Sequence, residues 1–298
     1  MKKLVIVLIC GLVFLAGKKA DAQQINPNES QYFTNQYLAN PAMIGLNSNT
    51  LLVNVAYRNQ WSEIPGSPKS ALFTGEYHGE NNASFGLQMS NQSSGMLSQT
   101  RVLGTYSYRI RFAEKDHSLR LGISLGWTRD HLDYSKAIGN LSDAEIYSFN
   151  SQNSLWDADA GFAYQNQDFT VQGSLSNLRR TFSKEFSDVS DYQTYYFAAN
   201  YKVQLTDDVT VNPKVAFRGI HNFDMIADIG AELVFKEPLQ LMGMYHTNGS
   251  LSGGASYLYD KKMLIFGIYS SASDELRNYG GSTFEFGIGF TVPNKKKK

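Results

Sequence analysis

Leu119-Arg120-Leu121-Gly122-Ile123-Ser124-Leu125-Gly126-Trp127-Thr128 alternates without a break, with Leu, Leu, Ile, Leu and Trp on one side and Arg, Gly, Ser, Gly and Thr on the other. Successive side chains of a strand point to opposite faces of a sheet, so this stretch has one apolar face and one polar or small face. The run before it repeats the pattern: Val102, Gly104, Tyr106, Tyr108, Ile110 and Phe112 oppose Arg101, Thr105, Ser107, Arg109 and Arg111, with Leu103 the one lapse. The last run does so again, with Phe284, Phe286, Ile288, Phe290 and Val292 opposing Glu285, Gly287, Gly289 and Thr291.

Working outward, the period of two holds from residue 50 to the end and gives about fourteen runs. They fall near residues 50–61, 69–79, 83–93, 98–112, 117–130, 154–165, 167–177, 190–205, 208–219, 224–235, 238–248, 250–260, 262–271 and 282–292. Most are longer than the roughly 5–6 residues usual in soluble domains and long enough for the roughly 9–11 that a tilted strand needs to cross a bilayer. Asp207-Asp208, Lys236-Glu237, Asn248-Gly249 and Asp260-Lys261 read as tight hairpin turns. Longer connections fall near 131–153, 178–189 and 272–281, and the alternation of short and long is imperfect. The chain holds 18 Tyr and 18 Phe, clustered at strand ends and along single faces, as in Tyr195, Phe197 and Tyr201, which suits interfacial girdles. A soluble β-sandwich or a β-helix would also alternate. Strand length, strand number, the aromatic content and the lack of a fixed-period repeat favour a transmembrane antiparallel β-barrel, all-β, of about 14 strands.

The ends frame this body. Lys2 and Lys3, an apolar run from Leu4 to Gly17 and a small-x-small Ala20-Asp21-Ala22 read as a signal peptide over 1–22, cleaved before Gln23. The run is too short for a membrane span. Cys10 is the only cysteine, so the exported chain has no thiolate nucleophile, metal thiolate or disulfide. The precursor is formally neutral. Removing residues 1–22 takes four lysines and Asp21 with it, leaving about −3, and setting aside Lys295–Lys298 leaves a body near −7. That charge excludes a nucleic-acid-binding footprint. The expected organisation is a signal peptide (1–22), a non-strand N-terminal segment able to act as a plug (23–49), the barrel (50–292) and a basic tail (293–298).

The segment 23–49 does not alternate. Gln31-Tyr32, Tyr37, Asn40-Pro41-Ala42 and Gly45 make a polar-aromatic stretch closed by a turn-like Asn-Pro, which leads into Tyr57-Arg58-Asn59-Gln60-Trp61 and then Gly66-Ser67-Pro68-Lys69. A Gln-Tyr-x4-Tyr-x2-Asn-Pro-Ala-x2-Gly segment followed by Tyr-Arg-Asn-Gln-Trp resembles the PorP/SprF family, outer-membrane proteins of the type IX secretion system and its gliding machinery in Bacteroidetes. The resemblance runs on through Tyr106–Arg109, Leu121-Gly122, Leu155–Tyr164 and the closing strand. It departs at Met43-Ile44, where an aromatic-small pair is expected, and at the lysine tail. The resemblance implies a barrel that supports secretion or surface anchoring of exported proteins, gliding adhesins among them. Its implied partners are outer-membrane lipids, periplasmic or lipoprotein secretion components and the C-terminal domains of exported proteins. The residues that carry it are Asn40, Pro41, Ala42, Gly45, Tyr57, Arg58, Asn59, Gln60, Trp61, Pro68 and Lys69; they either seat the segment and close the barrel or bind a partner. Arg58 and Trp61 are expected on opposite faces of the first strand, Arg58 toward the lumen and Trp61 at the interface.

Chemistry-bearing constellations are sparse. His78, His117, His131, His221 and His246 are scattered without metal-ligand spacing and read as solvated side chains. Asp157 with Asp159, and Asp228 with Glu232, share strand faces; in a barrel such acids are expected to pair with Arg101, Arg109, Arg111 or Arg218 rather than to do acid–base work. No Gly-x-Ser-x-Gly elbow is present. No enzyme activity, metal or cofactor is expected. A passive channel for small solutes stands as the alternative to a secretion component, and the loops near 131–153 and 178–189 are the expected partner-binding sites.

Overall fold

The computed structural model describes residues 30–46, 50–79, 82–112, 116–133, 149–150, 155–182, 193–220, 225–236, 238–278 and 281–293. The strands are β1 (Thr50–Asn59), β2 (Lys69–His78), β3 (Ala83–Ser94), β4 (Leu97–Arg111), β5 (Ser118–Leu132), β6 (Leu155–Gln165) and β7 (Phe169–Ser176). Then come β8 in two stretches (Thr194–Tyr201 and Val203–Thr206), β9 (Val209–Ile220), β10 (Ile226–Phe235), β11 (Leu239–His246), β12 (Leu251–Tyr259), β13 (Met263–Ser270) and β14 (Thr283–Pro293). Both stretches of β8 pair with β9, and the register shifts between Val209 and Thr210. Every strand is antiparallel to its neighbours in sequence, and β1 pairs with β14 from Thr50↔Pro293 to Asn59↔Phe284. The sheet is a closed fourteen-strand barrel in which each strand pairs with a neighbour on both sides, as hydrocarbon demands, and only the end stretch Val203–Thr206 of β8 pairs with β9 alone.

The alternation reads directly as inside and outside. On β5, Leu121, Ile123, Leu125 and Trp127 are exposed while Arg120, Gly122 and Ser124 are buried. On β14, Phe286 is 63% exposed and its neighbour Glu285 0%. An apolar surface of this extent, ringed by Tyr57, Tyr77, Tyr108, Tyr245, Tyr257, Tyr259 and Tyr269, suits lipid rather than water. Among the described residues no helix is long and apolar enough to cross a membrane; the strands do the crossing.

The connections sort by rim. Those after β2, β4, β6, β8, β10 and β12 are all short, and the tight ones use left-handed residues, as at Asp260 (φ 48) and Lys261 (φ 56). The long connections, after β5, β7 and β13, all leave the opposite rim, together with the shorter ones after β9 and β11. Short turns on one rim and long loops on the other is the outer-membrane arrangement, with the short turns periplasmic. The imperfect alternation in the sequence arises because the long-loop rim also carries short links, such as Gly95-Met96.

Candidate functional site

The inner wall is polar, and residues 30–46 lie against it. Residues 30–46 are buried from Ser30 to Gly45, apart from half-buried Phe33, Thr34 and Gln36. They bond to inward side chains all round the barrel. Starting at the long-loop half, Ser30 Oγ and Gln31 Nε2 both donate to the Glu285 carboxylate on β14. Tyr32 Oη donates to Asp228 Oδ2 on β10 (2.9 Å) and its ring stacks on Tyr196 of β8, 5.8 Å between centroids. At mid-height, Asn35 Nδ2 donates to Thr74 Oγ1 (2.9 Å), Lys214 Nζ on β9 donates to the Tyr32 carbonyl (2.5 Å), and Gln172 Nε2 donates to Gln36 Oε1 (2.7 Å). Tyr37 Oη lies 2.6 Å from Thr105 Oγ1, and burial raises its phenol above the ordinary value, keeping it neutral. Leu38 packs into an apolar patch of Ala56, Leu72, Phe266 and Ile268.

Toward the short-turn rim the chain makes a tight turn. A 3-10 turn at Pro41–Met43 starts from Asn40, whose Oδ1 accepts the Ala42 N–H (2.9 Å). Pro at the first helical position has the right φ and no N–H to leave unpaired. The Asn40 amide donates to Phe162 O (3.0 Å) and Gln172 Oε1 (3.2 Å). Gly45 ends the turn in a left-handed conformation (φ +67), and its N–H donates to Glu76 Oε2 (3.0 Å). Arg120 Nη1 donates to the carbonyls of Ile44 and Gly45, 2.9 Å each. The wall is cut to fit at three strand glycines. A Cβ on Gly86 would strike the Tyr37 ring, one on Gly122 the Pro41 carbonyl, and one on Gly161 the Asn40 amide at 2.1 Å.

Asn40, Pro41, Ala42 and Gly45 therefore sit together near the short-turn rim, whereas Tyr57, Arg58, Asn59, Gln60, Trp61, Pro68 and Lys69 lie at the long-loop rim; the two groups do not meet. What joins them is Glu285, the register partner of buried Arg58, which holds Ser30 and Gln31. Tyr57 faces lipid, Asn59 and Lys69 pair as the last rung of β1–β2, and buried Gln60 donates its N–H to Pro68 O (2.9 Å). Trp61 corrects the expectation from sequence. It is not on β1 at all: once Gln60 closes the hairpin, Trp61 turns left-handed (φ 53) and its carbonyl accepts from Ile64.

The histidine reading is also corrected. His131 is exposed and His117 half-buried, but His78 and His246 are buried. His78 Nδ1 lies 2.7 Å from Ser84 Oγ; His246 Nδ1 lies 2.6 Å from Asp228 Oδ1 and its Nε2 2.8 Å from Ser252 Oγ. They are shut from water because the inner side of the wall is covered by protein rather than solvent. His221 lies outside the described residues, as do most of the 131–153 and 178–189 loops. The acids pair as expected where an arginine faces them: Arg101 bridges Asp157 (2.5 Å) and Asp159 (2.6 Å), and Arg218 holds Asp228 at 2.7 Å. Glu232 instead accepts from Asn212 at 3.4 Å. Sequence reasoning missed Glu76, Lys214 and Glu285 as anchors of the segment. For Glu76 and Glu285 the signal was a lone charge at an inward position of an otherwise uncharged strand face; Lys214 shares its face with Arg218 and carried no such signal.

A closed barrel with an apolar outer belt, a polar inner wall and long loops confined to one rim defines an outer-membrane β-barrel. The chain belongs to the family of type IX secretion system membrane proteins PorP/SprF, whose model matches residues 21–290. It is thus a barrel component of that secretion machinery. No curated protein matches it in sequence. Among solved structures, a deltaS2S3 mutant of the monoaromatic hydrocarbon channel TodX is similar at TM-score 0.52 and 11% identity, over 93% of this chain and 96% of that one. The toluene transporter TbuX of Ralstonia pickettii is similar at TM-score 0.50 and 12% identity, over 85% and 92%. At such identities the likeness is one of fold.

Proposed function

We propose that this barrel is a non-conducting scaffold of the type IX secretion system, plugged by residues 30–46, which supports the secretion or surface anchoring of exported proteins. The observation that carries this reading is the bonding of that segment to strands from β2 round to β14, across the path that a solute would take along the polar inner wall. A solute channel would need that path open. In this reading residues 1–22 are a cleaved export signal, the long-loop rim meets the C-terminal domains of exported proteins, gliding adhesins included, and the short-turn rim meets periplasmic or lipoprotein subunits. The motif residues Asn40–Gly45 seat the plug, and Arg58 to Lys69 organise the loop rim. Catalysis has no part in it.

The test is quantitative proteomics of the medium and cell surface after deletion of the gene. Loss of one or a few exported proteins, with growth on small solutes unchanged, is the expected result. The second reading, a small-solute channel, draws on the barrel's likeness to hydrocarbon channels. An unaltered exported set together with steady conductance of the purified protein in planar bilayers would favour it and overturn the first.

A further inference from the structure

At the short-turn end of β4 and β5 the inner wall carries a cluster of positive charge that no salt bridge neutralises among the described residues. Arg109 and Arg120 are direct register partners, and Arg111, two residues along β4, faces Ser118. All four point inward, because Tyr108 and Ile110 between them face lipid. Like charges placed directly opposite on neighbouring strands are destabilising. The barrel elsewhere avoids this: Arg101 is matched by two aspartates and Arg218 by one. Among the described residues, Arg109, Arg111 and Arg120 have no salt bridge. Arg120 spends Nη1 on two backbone carbonyls.

The same corner concentrates unsatisfied donors. Arg109 Nε, Arg120 Nε and Ser118 Oγ are shut from solvent with no hydrogen-bond partner, although Arg120 is 2% and Ser118 1% exposed. A buried donor left unpaired costs about 1–3 kcal/mol. Among the described residues, the other ionisable groups within electrostatic range are Glu76, His78 and Asp116. Glu76 is committed to Gly45, His78 to Ser84, and Asp116 lies exposed in the turn after β4. Arg111 is exposed at the rim, so the corner opens to the short-turn mouth.

We propose that this corner is a phosphate-binding site, with Arg109 and Arg111 gripping a phosphate group that enters from the periplasmic mouth and Arg120 and Ser118 completing it from behind. Guanidinium forks match phosphate oxygens in geometry as well as charge. A tetrahedral phosphate offers enough acceptors for three arginines and a hydroxyl, whereas a carboxylate has only two oxygens. The phosphate is either free or the headgroup of an inner-leaflet phospholipid; the chemistry at the arginines is the same.

The experiment uses the full mature chain in phosphate-free detergent. Unfolding temperature and calorimetric titration are followed with inorganic phosphate, and with chloride and acetate at matched ionic strength. Phosphate raises the unfolding temperature of the unsubstituted protein beyond either control. Arg109→Gln unfolds no lower without phosphate, having lost a repulsion, and binds phosphate at least tenfold more weakly. Arg111→Gln, at the exposed rim, gives the same loss and carries the test where Arg109→Gln fails to fold. A phosphate effect no larger than that of chloride overturns the proposal, and so does a larger effect of acetate, which would mark a protein carboxylate as the occupant. Native mass spectrometry of the protein extracted from membranes separates the two sources. A phospholipid retained by the unsubstituted protein and lost in Arg109→Gln marks the headgroup, and phosphate binding without retained lipid marks the free ion.

Discussion

Gly122→Ala should loosen the Asn40–Gly45 turn while leaving the barrel intact. Gly122 is an ordinary β5 residue whose inward side touches the segment. A Cβ there lies 2.4 Å from the Ala42 nitrogen and 2.5 Å from the Pro41 oxygen, about 1 Å inside van der Waals separation. Neither atom can move alone, since Asn40 ties the turn to Phe162 and Gln172, and Arg120 and Glu76 tie its end. Overpacking of this kind costs about 1–3 kcal/mol. Because the strand side of the contact is held by ladders to β4 and β6, the cost falls on the turn and raises its open population by roughly 5- to 150-fold. Hydrogen exchange reads this directly. The Ala42, Met43 and Gly45 amides, bonded to Asn40 and Glu76, should exchange faster by that factor while β5–β6 ladder amides keep their rates. Unchanged exchange in the turn, or equal acceleration through the ladder, would refute the reasoning.

Asp228→Ala strands buried Arg218 and removes the partner of both Tyr32 and His246; a loss of about 3–5 kcal/mol in urea unfolding is expected. The double variant Arg218→Met with Asp228→Leu should regain much of it, and a double variant as unstable as the single would contradict the ion-pair account. Lys261→Gly should stabilise the β12–β13 turn by about 1 kcal/mol, because Lys261 is held at φ 56, a conformation glycine takes freely; a lower unfolding midpoint would count against it. In planar bilayers the unsubstituted barrel should stay closed. Replacing Lys214 with Ala, which removes the donor to Tyr32 O and Gln36, should produce flickering conductance; a closed Lys214→Ala barrel would show that the other bonds suffice to hold the segment.

Alternation from Thr50 onward was enough to place all the strands and to say which residues face lipid, because a period of two is imposed by the backbone and needs no partner to be read. Local chemistry also marked the Asp260-Lys261 turn and the Asn40-Pro41 cap, where a residue and its near neighbours supply the whole geometry. Alternation could not say whether the polar face meets water or protein. Arg120, Glu76 and Lys214 look alike in sequence whether they line a pore or hold a segment, so His78 and His246 were read as solvated. That question is decided by chain separated by up to 255 residues, as Ser30 is from Glu285. Trp61 was misplaced for a related reason, since the strand ends where Pro68 returns across the hairpin. The pairing of Arg58 with Glu285 exists only once β1 meets β14, because closure sets which inward side chains of the first and last strands share a level of the barrel. The meeting of Arg109 with Arg120 and the gathering of the long loops on one rim need only the antiparallel pairing of neighbouring strands, in a register that the alternation itself leaves open.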